Sequence, residues 1–119
     1  MNTLETMLAP LHTWEIPLVL PGAGTLQLRV SADNFVEAFV LDPVNRDAYK
    51  RGASFTSLYP SQPNRLHSAN VSLSYGGPWF VLVRSLQSLP VRVQADINFV
   101  PYMPTPTGYT GSIPTGSWS

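Results

Sequence analysis

Proline and glycine divide this chain into short segments, and most of these segments alternate in polarity. The 119 residues include 12 prolines and 8 glycines. Successive side chains of a β-strand point to opposite faces, so this alternation predicts strands that are buried on one face. The chain is therefore expected to be all-β, with antiparallel neighbours joined by short loops.

The strand pattern occurs seven times along the chain. It is clearest from Val91 to Val100, where apolar and polar residues alternate with few exceptions. Trp79–Ser85 is the most hydrophobic segment, which predicts a central strand. Ala53–Tyr59 is expected at an edge. The seven predicted strands are His12–Leu20, Thr25–Ser31, Phe35–Leu41, Ala53–Tyr59, His67–Tyr75, Trp79–Ser85 and Val91–Val100.

The segment Asp42–Gly52 interrupts the strand pattern and has the features of a short helix. Asp42 is a favourable N-cap, because its side-chain oxygen accepts a hydrogen bond from a backbone N–H of the first turn. Pro43 suits the first helical position, and Gly52 is a suitable residue just beyond the last turn. We therefore predict one short helix between the third and fourth strands.

Packing two antiparallel sheets face to face is the natural way to bury the apolar faces of these strands. The predicted fold is an antiparallel two-sheet β-sandwich of the jelly-roll kind, about seven strands with one helix. It is expected to occupy residues 1–100 as a single domain.

Residues 101–119 form a different kind of segment, uncharged and rich in Pro, Gly, Ser and Thr. Such a composition predicts an extended tail without a core of its own. The tail also carries large apolar side chains that are candidates for contact with a partner. These candidate interaction residues are Tyr102, Met103, Tyr109, Ile113 and Trp118.

The charge of the chain limits the partners that we expect. Seven basic and seven acidic residues give a formal net charge of zero. A nucleic-acid-binding protein normally needs a basic face, and a membrane-surface protein a polybasic segment, so neither partner is predicted. Low net charge also leaves little repulsion between copies of the chain. A homo-oligomer, or a complex with another protein, is therefore expected.

Absent sequence features argue against catalysis and export. The chain has no cysteine, which excludes disulfides and cysteine-ligated zinc. His12 and His67 are the only histidines, the carboxylates are scattered, and neither a nucleophile elbow nor a phosphate-binding glycine loop occurs. We predict no enzyme activity, no catalytic residues, no cofactor and no metal. With no signal peptide and no apolar span, the expected location is the cytoplasm or an assembled particle.

The loop after the fourth predicted strand is the best candidate for a polar ligand site. It brings an aromatic ring together with amide and guanidinium groups, a combination that suits the apolar and hydroxyl surfaces of a sugar. Its candidate ligand residues are Tyr59, Gln62, Asn64 and Arg65. A carbohydrate-binding module is therefore the alternative function.

The stretch from Phe35 to Phe99 resembles a group of small β-sandwich domains in its pattern. That pattern comprises a strand ending in Leu41-Asp42, a helix-like segment, and the turn Gly76-Gly77-Pro78 before an aromatic and apolar strand. The group includes the GOLD domains, the bacterial pre-peptidase C-terminal domains and small bacterial modules that are sometimes attached to TIR domains. The resemblance implies a GOLD-like sandwich that acts as a binding or accessory module without catalytic residues. No site residue carries over, because the GOLD cysteines are absent.

These observations together favour a non-enzymatic protein-interaction or self-assembly subunit. A tail or an edge strand that adds to the sheet of a neighbour would supply backbone hydrogen bonds and side-chain contacts.

Overall fold

The computed structural model describes residues 2–59 and 62–102. Within them the chain forms antiparallel strands and one short helix, which confirms the predicted all-β class. The elements are β1 (Asn2–Leu8), β2 (Thr13–Leu20), β3 (Gly24–Leu41), α1 (Pro43–Lys50), β4 (Asn64–Leu73), β5 (Gly77–Ser85) and β6 (Val91–Pro101). No helix in this part of the chain has the length and apolar character needed to cross a membrane.

The long strand β3 connects all the others. Its first part, from Gly24 to Ala32, pairs with β6 on one edge and with β4 on the other. Its second part, from Val36 to Leu41, pairs with β5. β1 then adds to β6, and β2 adds to β5, so that the strand order is β1-β6-β3-β5-β2 with β4 beside β3.

A register shift marks the boundary between the two parts of β3. Ser31 pairs with Leu66 of β4, and the next β3 residue to pair with this strand is Val36, opposite Asn64. Extra residues on one strand disrupt the ladder locally and bend that strand. The irregular stretch therefore lets β3 leave one set of partners and join another.

Both parts of β3 bury their even-numbered residues in one apolar cluster. Leu26 and Leu28 come from the first part, and Ala38 and Val40 from the second. The same cluster holds the odd-numbered residues of β5, from Trp79 to Val83, and those of β6. The hydrogen-bonded sheet thus curls around a single core as an open half-barrel. The division into two sheets stays a prediction.

The set of predicted strands needs three corrections. Thr25–Ser31 and Phe35–Leu41 are parts of one strand, β3, because the polar turn expected between them is accommodated as the irregular stretch. Ala53–Tyr59 forms no strand: the Leu58 N–H donates to the Val40 carbonyl, but the Val40 N–H donates to the Ser57 hydroxyl at 3.0 Å instead of to a backbone carbonyl. Asn2–Leu8 is a strand that the sequence did not predict.

The helix prediction is confirmed at both ends. An Asp42 carboxylate oxygen accepts from the Asn45 N–H at 2.8 Å, as an N-cap should. Beyond the last turn, the N–H of Gly52 donates to the Tyr49 carbonyl and that of Ala53 to the Ala48 carbonyl. This pair of bonds is a Schellman motif, and its left-handed position is occupied by Gly52 at a φ of 71°.

The helix covers the face of β3 and β5 that points away from the main core. Phe39, Leu41 and Leu82 are buried there, beneath Tyr49 and Phe55. The Phe39 and Phe55 rings meet edge to face with their centroids 5.3 Å apart. This second apolar cluster fixes α1 and the segment that follows it against the sheet.

A bidentate ion pair joins α1 to β2. The Arg46 guanidinium donates to the two carboxylate oxygens of Glu15 at 2.6 and 3.0 Å, and it lies 4.8 Å from the centroid of the Phe80 ring. The hydrogen bonds from Arg46 hold the pKa of Glu15 below its usual value and outweigh the opposite effect of burial.

We predict that Gly24→Ala destabilises the protein by about 2 kcal/mol or more, because an inserted methyl group has no space. A Cβ at Gly24 would overlap the carbonyl oxygen of Val100 and lie 2.5 Å from Cζ of Phe99. Gly22→Ala is the matched control, since nothing lies within 4 Å of its Cβ position. Thermal or urea unfolding measures both. Equal stability of the two variants would contradict the close approach of β3 and β6.

We predict that Glu15→Gln lowers the free energy of unfolding near neutral pH by less than about 1 kcal/mol. A carboxylate whose pKa is lowered by folding stabilises the protein above its usual pKa, and this contribution disappears as the pH falls through the lowered value. The difference between wild type and variant should therefore vanish in acid. The control is Glu5→Gln. The Glu5 carboxylate lies 3.8 Å from the Arg92 guanidinium, and both side chains are exposed. A difference that grows in acid would refute this account.

Candidate functional site

Three strands of the described sheet, β1, β2 and β4, have one edge that is without a strand partner along its whole length. Such an edge offers unpaired N–H and C=O groups to another chain, and natural proteins protect it with charge or proline. β1 carries Glu5 and β2 carries Pro17. The run from Leu66 to Ser74, which covers most of β4, contains neither a charged residue nor a proline. The edge of β4 is therefore the least protected of the three.

A cleft opens beside the C-terminal end of β4. One wall comes from the end of β4 and the turn that follows, and the other from Val40, the start of α1 and the segment before Tyr59. Its volume is about 260 Å³. It is lined by apolar and polar side chains and one carboxylate, from Val40, Asp42, Asn45, Thr56, Leu58, Ser72, Ser74, Tyr75 and Trp79. The cleft thus lies between the end of β4 and the second part of β3.

The cleft combines apolar surface with an available backbone edge. Leu58 and Tyr75 are 47% and 50% exposed, although both are large apolar side chains. Trp79 is buried at their base, where its ring centroid is 5.0 Å from that of Tyr75 and its indole N–H donates to the Tyr75 carbonyl. A pocket for side chains next to a free strand edge is the arrangement that binds an added β-strand.

His67 lies on the core side of β4 and is 2% exposed. Its Nε2 is 2.7 Å from the Val36 carbonyl oxygen, which can only accept, so Nε2 carries the proton. In the neutral ring Nδ1 then accepts from the Tyr59 hydroxyl at 2.8 Å. Burial raises the pKa of Tyr59 and keeps this hydroxyl protonated. Both ring nitrogens therefore serve to join β4 to β3 and to the segment after α1.

The predicted sugar-binding residues differ in their contacts. The Tyr59 hydroxyl is engaged by His67, whereas Gln62, Asn64 and Arg65 are exposed. The Arg65 guanidinium lies 5.6 Å from the centroid of the Phe35 ring, on the side of β3 away from the core. Sugar binding stays a prediction.

The predicted interaction residues fall mostly in the tail. Tyr102 is 51% exposed, and its N–H donates to the Ala23 carbonyl at 3.2 Å, next to the end of β6. Met103, Tyr109, Ile113 and Trp118 lie outside the described residues. The tail therefore starts beside the strand β3, at the end of the sheet where β4 also ends.

The cleft itself was not predicted from the sequence. Its walls are far apart along the chain, and the pairing of Leu58 with Val40 through backbone groups is a long-range contact. A usable signal was present in the uncharged, proline-free run from Leu66 to Ser74. That run indicates an unprotected edge only once β4 is known to lie at an edge.

Comparison with known proteins gives no further assignment. The sequence matches no model of a known protein family and no curated protein. In residues 2–59 and 62–102, no three His, Asp or Glu side chains come together as a ligand set for a metal ion.

We predict that Tyr59→Phe lowers the free energy of unfolding by about 1–3 kcal/mol, because it leaves a buried acceptor, Nδ1 of His67, without a donor. Tyr75→Phe is the matched control, since it removes a hydroxyl from a half-exposed ring whose only described contacts are apolar. Urea unfolding compares the two variants. If both lose the same stability, the bond between Tyr59 and His67 contributes nothing.

Proposed function

We propose that this protein is a non-enzymatic self-assembly subunit whose copies associate through the C-terminal tail. The observation that carries the proposal is the unprotected edge of β4, which opens on a cleft that no described residue fills. Unpaired backbone groups beside exposed apolar side chains are a surface that another strand stabilises by covering it.

The charge of the chain supports association between identical copies. With seven basic and seven acidic residues, no net field keeps the copies apart. The tail adds no charge and supplies the apolar candidates Met103, Tyr109, Ile113 and Trp118. Neutral, apolar segments of one copy and a neutral edge of another therefore meet without electrostatic penalty.

Assembly also gives a reason for the predicted two-sheet sandwich. The two parts of β3 hold two groups of strands around one core, and the gap between β4 and the Val40 side leaves that arrangement open. We propose that the association of copies closes this gap, so that the sandwich is completed in the assembly.

The proposal predicts different masses for the full chain and for a chain that ends at Tyr102. This truncation keeps every residue that the structure describes, including Tyr102, whose N–H donates to the Ala23 carbonyl. Static light scattering should show an oligomer for residues 1–119 and a monomer for residues 1–102, with similar unfolding temperatures. A monomeric full chain at high concentration would overturn self-assembly. Oligomers of equal mass for both chains would overturn the role of the tail.

A further inference from the structure

We infer that the segment Thr107–Ile113 of one copy inserts into the cleft of a second copy and pairs, as an added strand, with the free edge of β4. This inference rests on the proposed self-assembly and identifies both its receiving surface and the inserted segment.

The receiving edge has the length and chemistry that an added strand needs. From Leu66 to Leu73 β4 pairs with β3 without a register shift, so its outer edge is regular over these eight residues. Neither charge nor proline interrupts it. A regular, uncharged edge allows a continuous ladder of backbone hydrogen bonds with a strand from outside.

The size of the cleft favours side chains over a small molecule. Pockets for small ligands usually have volumes of about 300–1,000 Å³. The cleft, at about 260 Å³, is smaller and is bordered by a strand edge rather than enclosed. Leu58 and Tyr75 offer exposed apolar surface at its mouth. One or two apolar side chains of an added strand would cover this surface.

Within the tail, one segment is suited to form that strand. Thr107–Ile113 is its longest stretch without proline, bounded by Pro106 and Pro114. Thr, Tyr and Ile favour strands. In an extended conformation Tyr109 and Ile113 fall on one face, toward the cleft, while Thr110 and Ser112 fall on the other. The segment thus has one apolar and one polar face, as β4 does.

The residues that precede this segment favour a second copy as the receiver. Between Tyr102 and Thr107 the sequence is Met103-Pro104-Thr105-Pro106. Proline has a fixed φ, and the residue before a proline is restricted to extended conformations. Such a sequence favours a stiff spacer of about 3.1 Å per residue. A stiff spacer opposes the sharp reversal that insertion beside the β4 of the same copy requires.

Disulfide trapping between two single-cysteine variants tests the pairing, because the natural chain has no cysteine. Asn70→Cys places a thiol on the solvent face of β4, and Thr110→Cys or Ser112→Cys places one on the polar face of the tail segment. Gln27→Cys is the matched control: Gln27 is exposed on the same face but lies one strand further in, opposite Asn70. A disulfide needs Cα atoms within about 7 Å, which only neighbouring strands provide.

We expect mixtures with Asn70→Cys to form the mixed disulfide at least several-fold more than mixtures with Gln27→Cys, as measured by mass spectrometry after mild oxidation. Equal yields from both would overturn the pairing with β4. In the double variant with Asn70→Cys and Thr110→Cys, a disulfide formed within a monomer would show insertion in the same copy and would overturn the exchange between copies.

Proline substitution separates this inference from the proposed function. Gly111→Pro interrupts the inserted segment, whereas Ser117→Pro changes the tail outside it. We expect light scattering to show a monomer for Gly111→Pro and the wild-type oligomer for Ser117→Pro. If the wild-type chain is monomeric, self-assembly itself fails. If the wild type is an oligomer that the truncation at Tyr102 dissociates but Gly111→Pro does not, self-assembly through the tail stands and Thr107–Ile113 is the wrong segment.

Discussion

The shared strand β3 is the constraint on which the rest of this structure depends. Its first part is paired on both edges, by β4 and β6, and its second part holds β5, so every other strand joins the sheet directly or through one neighbour of β3. Because buried positions keep the same parity on both sides of the irregular stretch, the two parts contribute to one core rather than to two. A bend that reversed this parity would turn one set of apolar side chains to solvent. The curl of the sheet and the gap beside β4 both follow from this bend.

The three sheet edges differ in their protection against pairing with another chain, and this difference singles out β4 as the candidate site. Pro17 lacks a backbone N–H, so it cannot donate a hydrogen bond to a strand added beside β2. Glu5 places a charge on β1. From Leu66 onward β4 has neither feature, although its core side is held firmly by the two hydrogen bonds of His67. A rigid edge that lacks protection is suited to receive a strand, because pairing then orders only the incoming segment.

Prediction from sequence succeeded where the signal was local. The clean alternation of Val91–Val100 identified β6, and Asp42, Pro43 and Gly52 identified α1, because periodicity and capping act within a few residues. It failed where distant partners decide. β1 becomes a strand through its pairing with β6. Ala53–Tyr59 does not become one, because the Val40 N–H donates to the Ser57 hydroxyl, although the Val40 carbonyl accepts from the Leu58 N–H. The cleft was missed for the same reason, because it joins residues that are distant in sequence and that the bend of β3 brings together.

The pairing of β1 with β6 has a consequence for the order in which the chain folds. These strands contain the first and the last described residues of the sheet, with Leu8 opposite Val91 and Asn2 opposite Ile97. During synthesis β1 emerges from the ribosome before any other strand, yet it stays unpaired until nearly the whole domain has been translated. Closure of such a long loop follows the local contacts that cost less entropy. Attachment of the N-terminal strand therefore has to wait for the synthesis of β6, and the edge of β6 is exposed until the two strands pair.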